Sequence, residues 1–430
     1  MIADERPVLA DSLYTATANP SVEAAPLEGR AETEVAVIGA GFTGLSTALH
    51  LAERGVAVTV LEAQSPGWGA SGRNGGQINP GLKHDPEAVI AKFGAGMGGR
   101  MLDLSSAAPD LVLDIVRRHA IDCDAVQPGW IQPAHDAASM RMLEDRARQW
   151  AARGVELRLL SQAEVRGLIG SEAYIGGLLD PRGGNLHPLN YALGLADAVR
   201  RLGGRVHGRS RVTALDREGA GHLLRTERGE LAARRVVVAT NAYTDRFLPP
   251  LGRTLLPIRS VQVATQPLSD NLRRSILPQR QAVADTRRVM VYYRTDAQGR
   301  LLMGGRGAFD DRGNTRLLEL LRRTTRELFP QVGEVEWAHA WGGDLALTTD
   351  HYTRLCVLGD GIVSATAYNG RGVALATAMG RVLADWATGT EEGALDFPVT
   401  APKTVPFHFL RKPAIQAAIG WSRLRDALPF

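Results

Sequence analysis

Val35-Ala36-Val37-Ile38-Gly39-Ala40-Gly41-Phe42-Thr43-Gly44 decides the fold of this 430-residue chain, and Glu62 follows 18 residues after Gly44. An apolar strand runs into G-x-G-x-x-G, then a helix, then a second strand ending in an acid. Gly39 permits the tight strand-to-helix turn, Gly41 lets the backbone approach a pyrophosphate, and Gly44 lets helix and strand pack closely. A pyrophosphate then sits on free N–H groups at the positive end of the helix. Leu45, Ala48, Leu49 and Ala52 recur at helical spacing and face a sheet. Gly55 ends that helix, and Val56, Val58, Val60 and Leu61 form the next strand. Glu62 stands where a carboxylate takes ribose hydroxyls, and an acid there disfavours a 2′-phosphate. The unit is therefore expected to bind a dinucleotide, which makes redox chemistry the expected class.

The rest of the composition bounds the alternatives. The chain is 44% hydrophobic and 22% charged, as in an ordinary globular protein. It contains no apolar run long enough to span a bilayer, and no apolar leader follows Met1. Cys123 and Cys356 form no C-x-x-C pair, so neither a disulfide framework nor a metal site is expected. A cytoplasmic location fits that usage. Net charge is +4, but the basic residues are dispersed, whereas a nucleic-acid protein shows a concentrated stripe. Lysine occurs only at Lys83, Lys92, Lys403 and Lys412, so no lysine from the middle of the chain can act in catalysis.

Periodicity divides the chain into separated segments. Residues 1–32 are polar, dotted with proline, and expected to lie along the surface. A glycine-rich loop covers 67–77, residues 85–202 read as mostly helical, and 236–240 is an apolar run expected of a buried parallel strand. Residues 261–265, 289–294 and 301–303 read as antiparallel strands, with 296–299 as the loop between the last two. A helix is expected over 315–328. The expected division is 33–82, 155–255 and 345–400 for the nucleotide domain and 83–154 with 256–344 for a substrate domain. A helical tail over 401–430 completes it.

The strand–glycine turn–helix pattern returns near the end. Ile362-Val363-Ser364-Ala365-Thr366 leads into Asn369-Gly370-Arg371-Gly372 and then a helix over 373–388. A helix N-terminus stabilises an anion, so backbone amides of Gly370, Arg371, Gly372 and Val373 could face the electron-rich pyrimidine edge of a reduced flavin. The other reading is an ordinary strand–helix connection whose glycines serve packing. An NAD enzyme needs one such turn, so the second argues against that cofactor.

These motifs, with Gly69-Ala70-Ser71-Gly72-Arg73-Asn74-Gly75-Gly76-Gln77, Leu186-His187-Pro188, Ala239-Thr240-Asn241-Ala242-Tyr243 and Tyr368-Asn369-Gly370-Arg371-Gly372-Val373-Ala374, span nearly the full length. The chain resembles the D-amino-acid-oxidase-type FAD-dependent oxidoreductases, and within them the glutamylputrescine oxidoreductase branch. Leu13-Tyr14-x-Ala16-Thr17-Ala18 is similar to that branch as well. The resemblance implies an α/β, Rossmann-like FAD-binding domain with an inserted α+β substrate domain, whose large antiparallel sheet roofs the flavin. Gly39, Gly41, Phe42, Thr43, Gly44, Glu62 and Ala63 would hold the ADP half, and Val212 would meet the adenine through its backbone. Gly69, Ala70, Ser71, Arg73, Asn74, Gly75, Gly76, Gln77 and Thr240 would line the cofactor, and Asn369, Gly370, Arg371, Gly372 and Val373 its pyrimidine edge.

Departures from related patterns sharpen the expectation. Sarcosine-oxidase-like relatives attach FAD through a cysteine where Gly343 falls here, so FAD is expected to be non-covalent. Their carboxylate-binding and oxygen-activating lysines fall at Ala374 and Leu302. The implied reaction removes hydride from the carbon beside an amine nitrogen, leaving an imine that hydrolyses to an aldehyde or ketone. A glutamyl-polyamine-like amine is the sharpest substrate expectation, ahead of a D-amino acid or cyclic imino acid. A non-catalytic FAD-binding subunit is the reading of another class. The acceptor is oxygen or a quinone or electron-transfer partner, and the assembly a monomer or homodimer. Gln77, Tyr292, Arg294 and Trp341 are the candidates around the reacting groups. Strand alternation sets Tyr293 apart from Tyr292 and Arg294, and Arg294 is expected to pair with a substrate carboxylate. His187 reads as a helix cap and His50 as structural. The tail carries Phe407, Phe409, Ile415, Ile419 and Trp421 beside Arg411, Lys412, Arg423 and Arg425. It reads as a helix docked on the protein or a partner subunit in preference to a membrane-surface helix.

Overall fold

A computed structural model describes residues 9–244, 247–287, 290–307, 311–417 and 421, with the backbone alone for 311–314. Two eight-stranded sheets carry it. In the first, strand Gly29–Ile38 pairs in parallel with Val58–Leu61 on one side and Gly229–Val238 on the other. Ile362–Thr366 extends the sheet in parallel beyond Gly229–Val238, and Arg205–His207 beyond Val58–Leu61. Val35–Ile38 and Val236–Val238 are buried on both faces, which is why these runs are continuously apolar and do not alternate.

Helices Phe42–Glu53, Pro188–Arg201 and Ala374–Ala387 cover one face. Two of them meet almost backbone to backbone. Ser46 Oγ donates to the Thr377 carbonyl at 2.7 Å, and a Cβ at Gly380 would stand 2.5 Å from the Ser46 side chain. Glu53 closes the end of its helix by accepting from His50 Nδ1 at 3.0 Å, His119 Nε2 at 2.9 Å and Arg118. These bonds, that of His50 first, hold the Glu53 carboxyl down to about 2. A carboxyl whose folded pKa is depressed adds stability above its unfolded value, near the usual carboxylate range, and loses it as pH falls toward 2. Glu53→Gln is therefore expected to cost about 2 kcal/mol at pH 7, with the difference shrinking below pH 4.5, as thermal melts across pH would read.

The second sheet runs Trp337–Leu347, Leu256–Thr265, Leu301–Arg306, Tyr292–Thr295, Ala282–Ala284, Trp130–Ala134, Gly176–Asp180, Arg158–Ser161. It is antiparallel except between Ala282–Ala284 and Trp130–Ala134. The loop at 296–299 joins Tyr292–Thr295 to Leu301–Arg306, as the sequence predicts.

Three expectations are corrected here. Strands Arg158–Ser161 and Gly176–Asp180, inside the segment assigned to the nucleotide domain, belong to the second sheet. They are four and five residues long, too short for a period to show. Helix Pro86–Arg118, assigned to the substrate side, buries Met101, Leu102, Val112 and Ile115 in the core of the first sheet. The N-terminal segment is not all surface. Leu13 and Tyr14 are 2% and 1% exposed, plugged between Leu189, Leu302 and Trp341. In the tail, residues 411–417 are helical, while 418–420 and 422–430, with Ile419, Arg423 and Arg425, lie outside the described residues, as does Val289. No described helix is long and apolar enough to cross a membrane.

Candidate active site

The first glycine turn is built as its residue types demand. Gly39 has φ +106°, and a Cβ there would stand 3.0 Å from the Ala239 carbonyl. At Gly44 a Cβ would fall 2.0 Å from the Gly39 carbonyl, so helix and turn touch through backbone. Helix Phe42–Glu53 begins at Gly41, and Phe42 N donates to Ser71 Oγ at 2.9 Å. Ser71 thus ties the glycine-rich loop to the helix N-terminus. Glu62 accepts from Ala40 N at 2.7 Å and Gln64 N at 3.0 Å. Burial pushes its carboxyl up, and those amides pull it back.

One cavity runs along both glycine turns to the second sheet. Gly39, Gly41, Phe42, Thr43, Glu62, Ala63, Val212 and Thr240 line it on the side of the first sheet. Gly69, Ala70, Ser71, Arg73, Asn74, Gly75 and Gln77 line it from the loop, and Asn369, Gly370, Gly372 and Val373 from the second turn. Beside Gly370, at φ +90°, and Gly372 a Cβ would meet only open space. Asn369 anchors that turn by accepting from Thr348 N at 3.1 Å and donating to the Ala367 carbonyl at 2.6 Å. Thr43 and Tyr368 join the two turns through their hydroxyls at 2.6 Å.

Tyr292 enters the cavity from the second sheet, its hydroxyl 2.5 Å from Ser260 Oγ. Its ring fills the space left by two glycines: a Cβ at Gly75 would stand 2.9 Å, and one at Gly304 2.2 Å, from ring atoms. Burial pushes its phenol well above the usual range, so it stays protonated. Tyr293 points the other way, as alternation predicts, and donates to Tyr174 at 3.0 Å within the second core.

Arg294 and Trp341 do not line the cavity, which corrects the expectation for both. Arg294 is 3% exposed, and its guanidinium donates to the carbonyls of Gly75 at 2.7 Å and Leu186 at 3.1 Å and to Tyr14 at 3.2 Å. Trp341 Nε1 donates to the Arg73 carbonyl at 3.0 Å, and Gln262 Nε2 reaches the same carbonyl at 2.6 Å. Alternation places these side chains on the cavity-facing side of the sheet, but there the loop 73–77 covers them. Their donors hold that loop. Gln77 lines the cavity while its amide donates to the Val283 carbonyl at 2.9 Å. Gly76 and Gly44 lie behind the wall. The side chain of Arg371 also leaves the cavity, donating to the Pro80 carbonyl with its guanidinium 5.2 Å from the Trp130 ring. Burial pushes it down to about 10. His187 caps helix Pro188–Arg201 through Nδ1, which accepts from Asn190 N at 3.1 Å. Neither cysteine lines the cavity, and both are buried.

Lys83, Arg259, Arg306 and His351 also line the cavity, and the sequence reading gives none of them a site role. Lys83 is exposed, and the space it faces is the cavity. Burial among protein walls, then the charges of Arg371, Arg146 and Arg306, push its ammonium down to about 8. Lysine scarcity was the available signal, since Lys83 falls six residues after the glycine-rich loop.

The chain is similar to known proteins over nearly its full length. It is 34% identical over 97% of its length to the gamma-glutamylputrescine oxidoreductase of Escherichia coli (strain K12), covering 98% of that relative. It is 32% identical to a probable oxidoreductase, OrdL, of Haemophilus influenzae, over 89% of each chain. Among solved structures, glycine oxidase from Geobacillus kaustophilus superposes with a TM-score of 0.72 at 22% identity, over 86% of this chain and 99% of that one. L-proline dehydrogenase from P. horikoshii gives 0.70 at 19%, over 84% and 94%. Residues 34–386 match the family described as FAD dependent oxidoreductase, DAO, so the chain belongs to that family and its cofactor is FAD.

Proposed function

We propose that the protein oxidises a carbon–nitrogen bond of a glutamyl-polyamine-like amine. The full-length likeness to gamma-glutamylputrescine oxidoreductase supports this substrate class. The cavity residues fit FAD on structural grounds. Gly41 stands at a helix N-terminus suited to a pyrophosphate, Glu62 at the end of its strand suits ribose hydroxyls, and the second turn leaves open space at Gly370 and Gly372. When bound, FAD accepts hydride from the carbon beside the amine nitrogen.

One observation carries the amine reading. Among the described residues, Glu62 and Asp344 are the only acids lining the cavity, and both are engaged: Glu62 by backbone amides, Asp344 by Arg259 at 3.4 Å. A substrate ammonium finds no free counter-ion there and binds as the neutral amine, whose lone pair drives hydride loss. Tyr292 and Ser260 offer hydroxyls to that nitrogen, and Ala284 and Met290 supply apolar wall. The test is turnover with an artificial acceptor against γ-glutamylputrescine, D-amino acids and L-proline, with identification of the carbonyl product. Aldehyde from γ-glutamylputrescine, with kcat/KM rising with pH toward the free amine's pKa of about 10, is the expected outcome. Preference for a D-amino acid or proline would overturn the substrate class.

A further inference from the structure

Two cations of the cavity wall have no hydrogen-bonded or ionic partner among the described residues. Lys83 stands on the loop between strand Gln77–Ile78 and helix Pro86–Arg118. Arg306 ends strand Leu301–Arg306. The other arginines are accounted for. Arg73 donates to the Trp68 carbonyl at 2.8 Å, Arg259 meets Asp344, and Arg211 stands beside Val212 on the side of the first sheet.

Arg306 is placed next to the Tyr292–Ser260 hydroxyl pair. It shares a strand face with Gly304, over which the Tyr292 ring lies, and its cross-strand neighbour is Ser260. Burial alone pushes its guanidinium down, with no acid opposing the shift. Lys83 feels the charge of Arg306, and His351 feels both. The one acid Lys83 feels is Asp85, which Arg146 already holds at 2.6 Å, so two like charges drawn toward one space destabilise each other and the site. A bound anion reverses that penalty. The first glycine turn already provides for the flavin's pyrophosphate, which leaves this anion to the substrate.

We infer that Lys83 and Arg306 form a carboxylate seat, so that the substrate is an amine whose distant end carries a carboxylate, and free polyamines are rejected by charge. The inference rests on the amine reading above and names the group that makes a glutamylated amine acceptable. A free diamine would present a second ammonium to two cations, whereas a glutamyl group presents a carboxylate that both can grip.

The experiment uses the FAD-loaded enzyme, Lys83→Met, Arg306→Met and the double variant, with Lys83→Arg and Arg306→Lys as charge-retaining controls. Anaerobic titration with glutarate, which carries carboxylates and no amine, is followed by the visible flavin spectrum. Glutarate is expected to perturb the wild-type spectrum. Its dissociation constant should rise about 10-fold in each Met variant and on the order of 100-fold in the double, as charge-assisted bonds are lost, and the charge-retaining variants should lie near wild type. In parallel, the ratio of kcat/KM for γ-glutamylputrescine to that for N-acetylputrescine, which lacks the carboxylate, should fall by the same factors. Unchanged glutarate binding and an unchanged ratio in the double variant would overturn the seat. Glutarate binding that depends on both cations in a protein whose flavin no amine reduces would support the seat and overturn the amine reading.

Discussion

Gly44→Val is expected to give a protein that retains no FAD. The Cβ of any residue at 44 would stand 2.0 Å from the Gly39 carbonyl and 3.1 Å from Val37 Cγ1. Neither neighbour yields: one is backbone of the turn itself, the other belongs to a strand paired on both sides. Helix Phe42–Glu53 would have to move away from the sheet, carrying Phe42 N off Ser71 and the helix N-terminus off the pyrophosphate site. Overpacking against backbone costs about 3 kcal/mol or more, and the displaced helix also packs against Ala374–Ala387. Flavin absorbance per chain after purification and the melting temperature check it. Stoichiometric flavin with an unshifted melt would contradict the role assigned to Gly44.

Arg294→Met is expected to weaken FAD binding on the order of 100-fold without removing any residue of the cavity wall. Met matches the length of the arginine stem but leaves the carbonyls of Gly75 and Leu186 without their guanidinium donor. Each such unmade bond costs about 1–3 kcal/mol. Gly75 belongs to the loop that Trp341 and Gln262 hold at Arg73, so the loop loses one of its few anchors to the sheet. Tyr14 loses its charged partner, which loosens the N-terminal plug. Arg294→Lys keeps the charge and one donor and should recover part of the affinity. The dissociation constant of FAD from the reconstituted apoprotein reads the effect. Wild-type affinity in Arg294→Met would return that arginine to the substrate role assigned to it from sequence.

That arginine shows where sequence reading stops. Alternation along Tyr292–Thr295 identifies which side chains share a face, and the structure keeps Tyr292 and Arg294 apart from Tyr293. It does not say what covers each position on that face. Tyr292 meets open cavity because Gly75 and Gly304 leave room for its ring, while Arg294, two residues on, meets the loop's carbonyls. The first glycine turn was legible because its requirements are local: a tight turn, a close approach and an acid at the end of the next strand. The second turn was legible for the same reason, although only the fold shows it facing the first across Thr43 and Tyr368. Strands Arg158–Ser161 and Gly176–Asp180 were not, since runs of four and five residues are too short to show a period. The burial of Leu13 and Tyr14 depends on Arg294, Leu302 and Trp341, some 280 residues or more away.

The most direct test of the central claim, that one cavity holds FAD and receives an amine, is the visible spectrum of the purified protein during anaerobic titration with γ-glutamylputrescine. A yellow flavin spectrum that bleaches to completion with one equivalent of the amine, and returns when an acceptor is admitted, is the expected result. A protein that stays colourless after incubation with FAD, or a bound flavin that no amine bleaches, would contradict the claim.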